Sequence, residues 1–285
     1  MADEDVVRGS CLCGGVAWQA RRPFRLMSHC HCSMCRKSHG SAFGTYVAAA
    51  ADGYRLQGEE LIAQYQSSPQ GVRRFCTRCG SIVPNPVEGP LAWMPAGGLE
   101  ADPGVRPLAH IFAASKAPWY EIADDLPRFD AYPPGAGGPA IERPTPAATE
   151  PGWVHGSCLC GDVAYELAAG GWTLMQCHCS RCRRARSAAH GTNLFAPRER
   201  FRWLRGESAL RFYKVPEAER YAQAFCTRCG SNMPRDAGAF LVVPAGSLDG
   251  DPGIEERKHI FTGSKAPWFS IADGWPQFEA LPPRS

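Results

Sequence analysis

No apolar run among the 285 residues approaches the ~18 needed to cross a bilayer, so no membrane helix is expected. Long stretches with the 3.6-residue period of an amphipathic helix are also missing, which argues against an all-helical fold. Nor is there a large excess of either charge. The net charge is +3, and all of it lies beyond Arg143, the part before being neutral. With no broad basic patch interleaved with aromatics, nucleic acid is not an expected partner. The first residues, Met-Ala-Asp-Glu-Asp, are acidic where a secretory signal would be basic and then apolar, so a cytoplasmic protein is expected.

What is abundant is cysteine. Fourteen are present, seven in each half, and an odd number cannot all be paired within a half. A secreted disulfide scaffold is therefore disfavoured. In a reducing compartment, clustered thiols more often mean metal or catalysis.

The halves are copies of one another. Cys11, Cys13 and Cys35 recur 147 residues later as Cys158, Cys160 and Cys182, and Cys76 and Cys79 recur 150 later as Cys226 and Cys229. His110 to Pro134 and His259 to Pro283 agree at 16 of 25 positions. These offsets give two domains, 6–132 and 153–283, which can pack as an internal pseudo-dimer. Between them, 133–152 holds six prolines, four glycines and one large aliphatic residue, Ile141, as an exposed linker would. Short apolar runs between turn residues predict a mostly β fold. Strands are expected at Val16 to Ala20, Phe43 to Ala48, Leu61 to Tyr65 and Leu91 to Pro95. In the second copy they are expected at Val163 to Leu167, Leu210 to Tyr213 and Phe240 to Val243. One short helix per copy is expected after Cys35 and after Cys182.

The seven thiols of a copy sort by spacing. C-x-C-G and C-x-x-C-G both put glycine after the last cysteine, where a tight knuckle around a metal often needs positive φ. Two such knuckles make a closed four-sulfur zinc site. That assigns Cys11, Cys13, Cys76 and Cys79 to one structural zinc, and Cys158, Cys160, Cys226 and Cys229 to its twin. The remaining trios, Cys30, Cys32, Cys35 and Cys177, Cys179, Cys182, have the ligand count of an open site. A histidine ligand is an alternative, although His31 and His178, each between two cysteines, should point away from the metal. A redox-sensing cluster, a purely structural metal and an iron–sulfur cluster also stay open. Three thiolates leave a zinc ion a weak Lewis acid, better suited to activating a thiol substrate. Arg181, Arg183, Arg184 and Arg186 can be read as an anion site or as a solvated face. His110-Ile111-Phe112 with Lys116 to Trp119, and the copy at His259 to Trp268, read as a packed strand and turn.

The motif order C-x-C-G, HCHCSMCRKSHG at His29 to Gly40, FCTRCGS at Phe75 to Ser81 and HIF…SKAPW at His110 to Trp119 resembles the glutathione-dependent formaldehyde-activating enzyme family, which also includes centromere-protein-V-like proteins. The resemblance covers nearly all of both copies. It implies a β-tent fold with two zinc ions per domain, four per chain, and the same sorting of cysteines, with the trios at catalytic zinc. It further implies a carbon–sulfur lyase acting on S-hydroxymethylglutathione, with glutathione and a small aldehyde as partners. The alternative is a non-catalytic zinc or redox-sensing module that binds a partner. The second copy departs from the pattern: Gly40 becomes Ser187 and Phe43 becomes His190. Its pocket is expected to differ and to be more cationic.

Overall fold

A computed structural model describes residues 5–69, 71–136, 149–219 and 221–283. Most of the expected linker, 137–148, lies outside the described residues. The first copy contains β1 (Val6–Ser10), β2 (Ala17–Arg21), β3 (Phe24–Cys30), α1 (Ser33–His39), β4 (Gly44–Ala50), β5 (Arg55–Gln57), β6 (Ile62–Ser68), β7 (Gly71–Cys76), β8 (Leu91–Pro95) and β9 (His110–Ile111). The second contains β10 (Trp153–Ser157), β11 (Ala164–Ala168), β12 (Trp172–Cys177), α2 (Ser180–Arg186), β13 (Gly191–Pro197), β14 (Phe201–Arg205), β15 (Leu210–Lys214) and β16 (Ala222–Cys226). It continues with β17 (Asn232–Met233), β18 (Arg235–Asp236), β19 (Phe240–Pro244), β20 (Ile254–Ile260) and β21 (Gln277–Phe278). The chain is thus mostly β, with two short α-helices among the described residues and two similar domains.

Each copy builds three sheets: β1-β2-β5, β8-β4-β3-β9 and β6-β7 in the first, and β10-β11-β14, β18-β19-β13-β12-β20-β21 and β15-β16-β17 in the second. In the first sheet Gly9 pairs with Trp18, whose indole lies flat over it; a Cβ on Gly9 would sit 2.5 Å from Trp18 Nε1. The second copy repeats the device with Gly156 beneath Tyr165. Both rings are buried, each worth roughly 1.5–3 kcal/mol of apolar burial.

The helices depart from expectation in one respect. Each begins before the third cysteine of its trio rather than after it, because Cys32 and Cys179 serve as N-caps, their sulfurs accepting from the backbone N–H groups of Cys35 and Cys182 at 3.3 and 3.4 Å. Both helices end on a residue in the left-handed region, Gly40 in one and Ser187 in the other. Losing the glycine therefore did not change the backbone, and Ser187 Oγ donates to Ile82 O at 2.6 Å across the copies.

The copies meet through residues that correspond in the two halves. Lys37 Nζ pairs with Asp249 Oδ1 at 2.6 Å, and in the mirrored position Arg184 pairs with Glu100 at 3.1 Å. Phe75 and Phe225 meet edge-on at 6.3 Å. The turn at Ala96–Gly98 packs on α2 and its counterpart at Ala245–Ser247 on α1. One hydrophobic core runs through both copies without interruption, from Val7 and Trp119 to Leu248 and Trp268.

Candidate functional site

Two kinds of sulfur cluster occur in each copy. Cys11, Cys13, Cys76 and Cys79 converge, as do Cys158, Cys160, Cys226 and Cys229, with all sulfurs of a group within 4.8 Å of one another. Cys11 and Cys13 sulfurs lie 3.5 Å apart and Cys13 and Cys76 3.7 Å; the second copy gives 3.4 and 3.7 Å. A tetrahedral ion with metal–sulfur bonds of about 2.3 Å sets sulfurs about 3.8 Å apart, so the cages fit zinc closely. Gly14, Gly80, Gly161 and Gly230, each following a cysteine pair, all have positive φ, between 71 and 79°. Ser81 braces the first cage, taking a hydrogen bond from Leu12 N at 3.1 Å with its hydroxyl 3.4 Å from Cys79 Sγ. Ser231 repeats this in the second. Three of the four sulfurs in each cage belong to the continuous core.

The trios stand outside that core, each in a small cluster of its own. Cys30 arrives at the end of β3, Cys32 caps α1, and Cys35 lies in the first turn; Cys177, Cys179 and Cys182 repeat this on β12 and α2. The sulfurs of Cys30 and Cys32 lie 3.6 Å apart, as do those of Cys177 and Cys179, and all three atoms of each trio could hold one ion. Hydrogen bonds to Cys32 and Cys35, then burial, hold the Cys30 thiol up, while hydrogen bonds from Cys30 and Cys32 hold Cys35 well below the usual thiol range. In the second trio, hydrogen bonds from Cys177 and Cys182 lower Cys179 to about 3. The three thiols of each trio thus compete for protons, an arrangement that suits a cation.

The histidines point elsewhere. His31 Nε2 meets His110 Nδ1 at 2.7 Å, and His110 Nε2 meets Asp124 Oδ1 at 2.9 Å. Since the carboxylate accepts, His110 donates from Nε2 and accepts at Nδ1 from His31. His178, His259 and Asp273 form the same relay at 3.0 and 2.9 Å. Burial, and then the facing His110 or His259, lowers His31 and His178 to about 3, so both are neutral. The HIF segments are thus a packed strand and turn, as expected, with Phe112 and Ile260 buried in the trios' own clusters, and their histidines brace the cysteine loops. Asp124 and Asp273 were not expected in this role; the signal was the Ile-Ala-Asp shared by both tails.

The two trios differ in what faces them. A cavity of 880 Å³ opens on Cys30, Cys32 and Cys35 and is also lined by Tyr46, Arg73 and Trp93. His39 Nδ1 lies 2.6 Å from Arg186 O and must donate to it, so His39 Nε2 accepts from the Tyr46 hydroxyl at 2.9 Å. Arg73 Nη1 in turn donates to Tyr46 at 3.4 Å. Burial works against the Arg73 charge, but Cys35, Tyr46, Cys32 and Cys30 together outweigh it and hold the guanidinium's pKa above its ordinary value. In the second copy Asn193, Gln223 and Arg186 stand where Tyr46, Arg73 and His39 do, and the Tyr221 hydroxyl is 3.7 Å from Cys182 Sγ. Burial lowers the pKa of both Arg186 and Arg235, against the opposing pull of Tyr221 and then Cys182. The arginine run is divided: Arg181 is exposed, Arg184 pairs with Glu100, and Arg186 is buried against Asn193. No sequence signal singled out Tyr46 or Arg73.

His190 gives a pH prediction. It is fully buried, with Nδ1 3.0 Å from Thr192 Oγ1 and no partner at Nε2. Burial, then His178, keeps it well below the ordinary histidine value of 6.5. The unfolded chain binds a proton there below about pH 6.5 and the native chain does not, so this contribution to stability is complete above 6.5 and declines as pH falls. Replacing His190 with phenylalanine, the residue at the matching Phe43, should shrink the stability lost between pH 7 and 5 by about 2 kcal/mol. Urea unfolding of both proteins at the two pH values measures it, and an unchanged difference would refute it.

No helix among the described residues is long and apolar enough to cross a membrane, and no curated protein matches the chain. The family model described as glutathione-dependent formaldehyde-activating enzyme matches twice, over residues 6–115 and 153–264. With both copies matched and each bringing its cysteines together in a cage and a trio, the chain belongs to the glutathione-dependent formaldehyde-activating enzyme family.

Proposed function

We propose that the chain is a zinc-dependent carbon–sulfur lyase that makes and breaks the C–S bond in thiol adducts of a small aldehyde, with S-hydroxymethylglutathione as the type substrate. The units 6–132 and 153–283 would each hold two zinc ions, four per chain. The closed cages of Cys11, Cys13, Cys76, Cys79 and of Cys158, Cys160, Cys226, Cys229 are structural in this reading, and Cys30, Cys32, Cys35 and Cys177, Cys179, Cys182 are the open sites. The observation that carries it is the contrast in setting. The cages lie within the core, whereas the first trio lines an open cavity large enough for a substrate. Fourteen free cysteines agree with a reducing cytoplasmic compartment.

Bound zinc would keep a substrate thiol deprotonated at neutral pH. In the forward direction sulfur then bonds to the carbonyl carbon, the C=O π bond becomes a C–O single bond, and the proton that left sulfur ends on that oxygen. Arg73 and Tyr46 face this reaction: the guanidinium balances negative charge on sulfur or oxygen, and the Tyr46 hydroxyl is held in a fixed orientation by His39. Exchange NMR with formaldehyde and glutathione tests the reading. The protein should accelerate exchange over the spontaneous rate, and replacing Cys32 with serine should abolish the acceleration with the fold intact. A wild-type protein that accelerates exchange of no thiol–aldehyde pair would leave the non-catalytic zinc module.

A further inference from the structure

Four of the eight large apolar side chains exposed among the described residues ring one opening, the mouth of the cavity over Cys30, Cys32 and Cys35. They are Leu26 (42% exposed), Trp93 (40%), Leu108 (56%) and Tyr132 (39%). Such clustering marks a binding surface more often than chance exposure does. Deeper in, Ile111 and Phe112 continue the apolar wall down to the sulfurs. The lining holds one cation, Arg73, and no carboxylate among the described residues. Arg73 donates from Nη1 to Tyr46 and keeps Nε unpartnered, but one guanidinium beside the sulfurs cannot balance two carboxylates. Glutathione carries two carboxylates and an ammonium group, and an ion taken into an apolar wall without a partner is heavily penalised. The fit is poor for glutathione's body and good for an uncharged one.

Resting on the reading of this trio as reactive toward thiol adducts, we propose that the first pocket selects an adduct whose body is a bulky apolar chain or ring, packed between Leu26, Trp93 and Leu108 with its sulfur at the trio. The second copy keeps only one of these four large exposed apolar side chains, Leu281 at the place of Tyr132. The positions of Leu26, Trp93 and Leu108 are taken by Thr173, Val242 and Arg257, and Arg257 is turned to Trp119 O at 2.6 Å. Selection therefore belongs to one site per chain.

Calorimetric titration of the zinc-loaded full chain with 2-phenylethanethiol and with glutathione tests the pocket independently of turnover. The apolar thiol should bind at one equivalent per chain, at least about tenfold more tightly than glutathione, and Leu108→Asp should weaken it by about tenfold. Equal affinities, two equivalents, or no effect of Leu108→Asp would overturn the proposal. Exchange NMR then locates the apolar body: 2-phenylethanethiol with formaldehyde places it on the thiol, glutathione with phenylacetaldehyde on the aldehyde. One of these pairs should exchange faster than glutathione with formaldehyde, and a glutathione–formaldehyde pair faster than both would count against the inference. Tight apolar binding with no acceleration of any pair would retain the pocket and reject the lyase reading. Acceleration of glutathione–formaldehyde exchange without apolar preference would do the reverse.

Discussion

Withdrawing metal with a strong chelator is expected to unfold the chain rather than merely inactivate it. In each copy, three sulfurs of the cage lie in the continuous core, and Cys11, Cys76, Cys79, Cys226 and Cys229 have essentially no exposed surface. The binding free energy of a structural zinc ion, on the order of 10–16 kcal/mol, is folding free energy where the site exists only in the native chain. Without the ion, four close sulfurs keep most of their protons and lose the bonds that hold two distant loops, around residues 11–13 and 76–79, in register. The same reasoning separates the two kinds of cluster. Cys76→Ser should lower the melting temperature by on the order of 10 °C or more and remove one zinc ion per chain. Cys32→Ser should also remove one ion but move melting far less, since its trio stands beside a cavity and outside the core. Metal analysis and circular dichroism melting on the same samples decide this. A chelated, metal-free protein that melts where the native one does would show that the cages do not hold the fold.

Much of this was legible in the cysteines because metal geometry acts locally: two residues between sulfurs, then a glycine that can take positive φ, specify a knuckle with little help from the rest of the chain. All seven expected strands fall on observed ones, Leu91 to Pro95 residue for residue. Strands such as β3, β7 and β12 escaped notice because they run directly into cysteines whose motif dominates the reading, and their apolar alternation is broken by arginine, histidine and glutamine. The helices began earlier than expected because a cysteine sulfur acts as the cap, a role ordinarily looked for in Ser, Thr, Asp or Asn. Asp124 carried a signal in the repeated Ile-Ala-Asp of the two tails that went unused, whereas Tyr46 and Arg73 were invisible for another reason. Arg73 meets Tyr46 from a separate strand, and a single arginine or tyrosine carries no spacing signal. The expected difference between the copies came from Gly40/Ser187 and Phe43/His190, yet the larger difference lies in Tyr46/Asn193 and Arg73/Gln223, since Tyr46 and Arg73 line the cavity over the first trio.

Alanine at Gly97 or Gly246 should be among the most damaging conservative changes in the chain. These glycines occupy matching places in the two copies, on turns that press against the other copy's helix end. A Cβ on Gly97 would lie 2.2 Å from Ala188 N and 2.3 Å from Ala188 O, and one on Gly246 2.4 Å from both Arg36 O and Ser41 N. The obstructing atoms are backbone, fixed by the helices that carry the sulfur trios, so neither side can yield by changing a rotamer. Overpacking a rigid contact costs about 1–3 kcal/mol or more, and the upper end applies where main chain meets main chain. Neither glycine has positive φ, so the penalty is purely one of contact between copies. Gly274 is the control: it has no positive φ and open space around its missing Cβ, and its alanine variant should unfold within about 0.5 kcal/mol of the parent. Denaturant midpoints of the three variants measure the effect, and Gly97→Ala or Gly246→Ala variants as stable as Gly274→Ala would mean that the copies are not held in close contact. If the cost is as large as the geometry requires, it should appear as one cooperative transition shifted for the whole chain. A core that continues from one copy into the other leaves neither with a complete interior of its own.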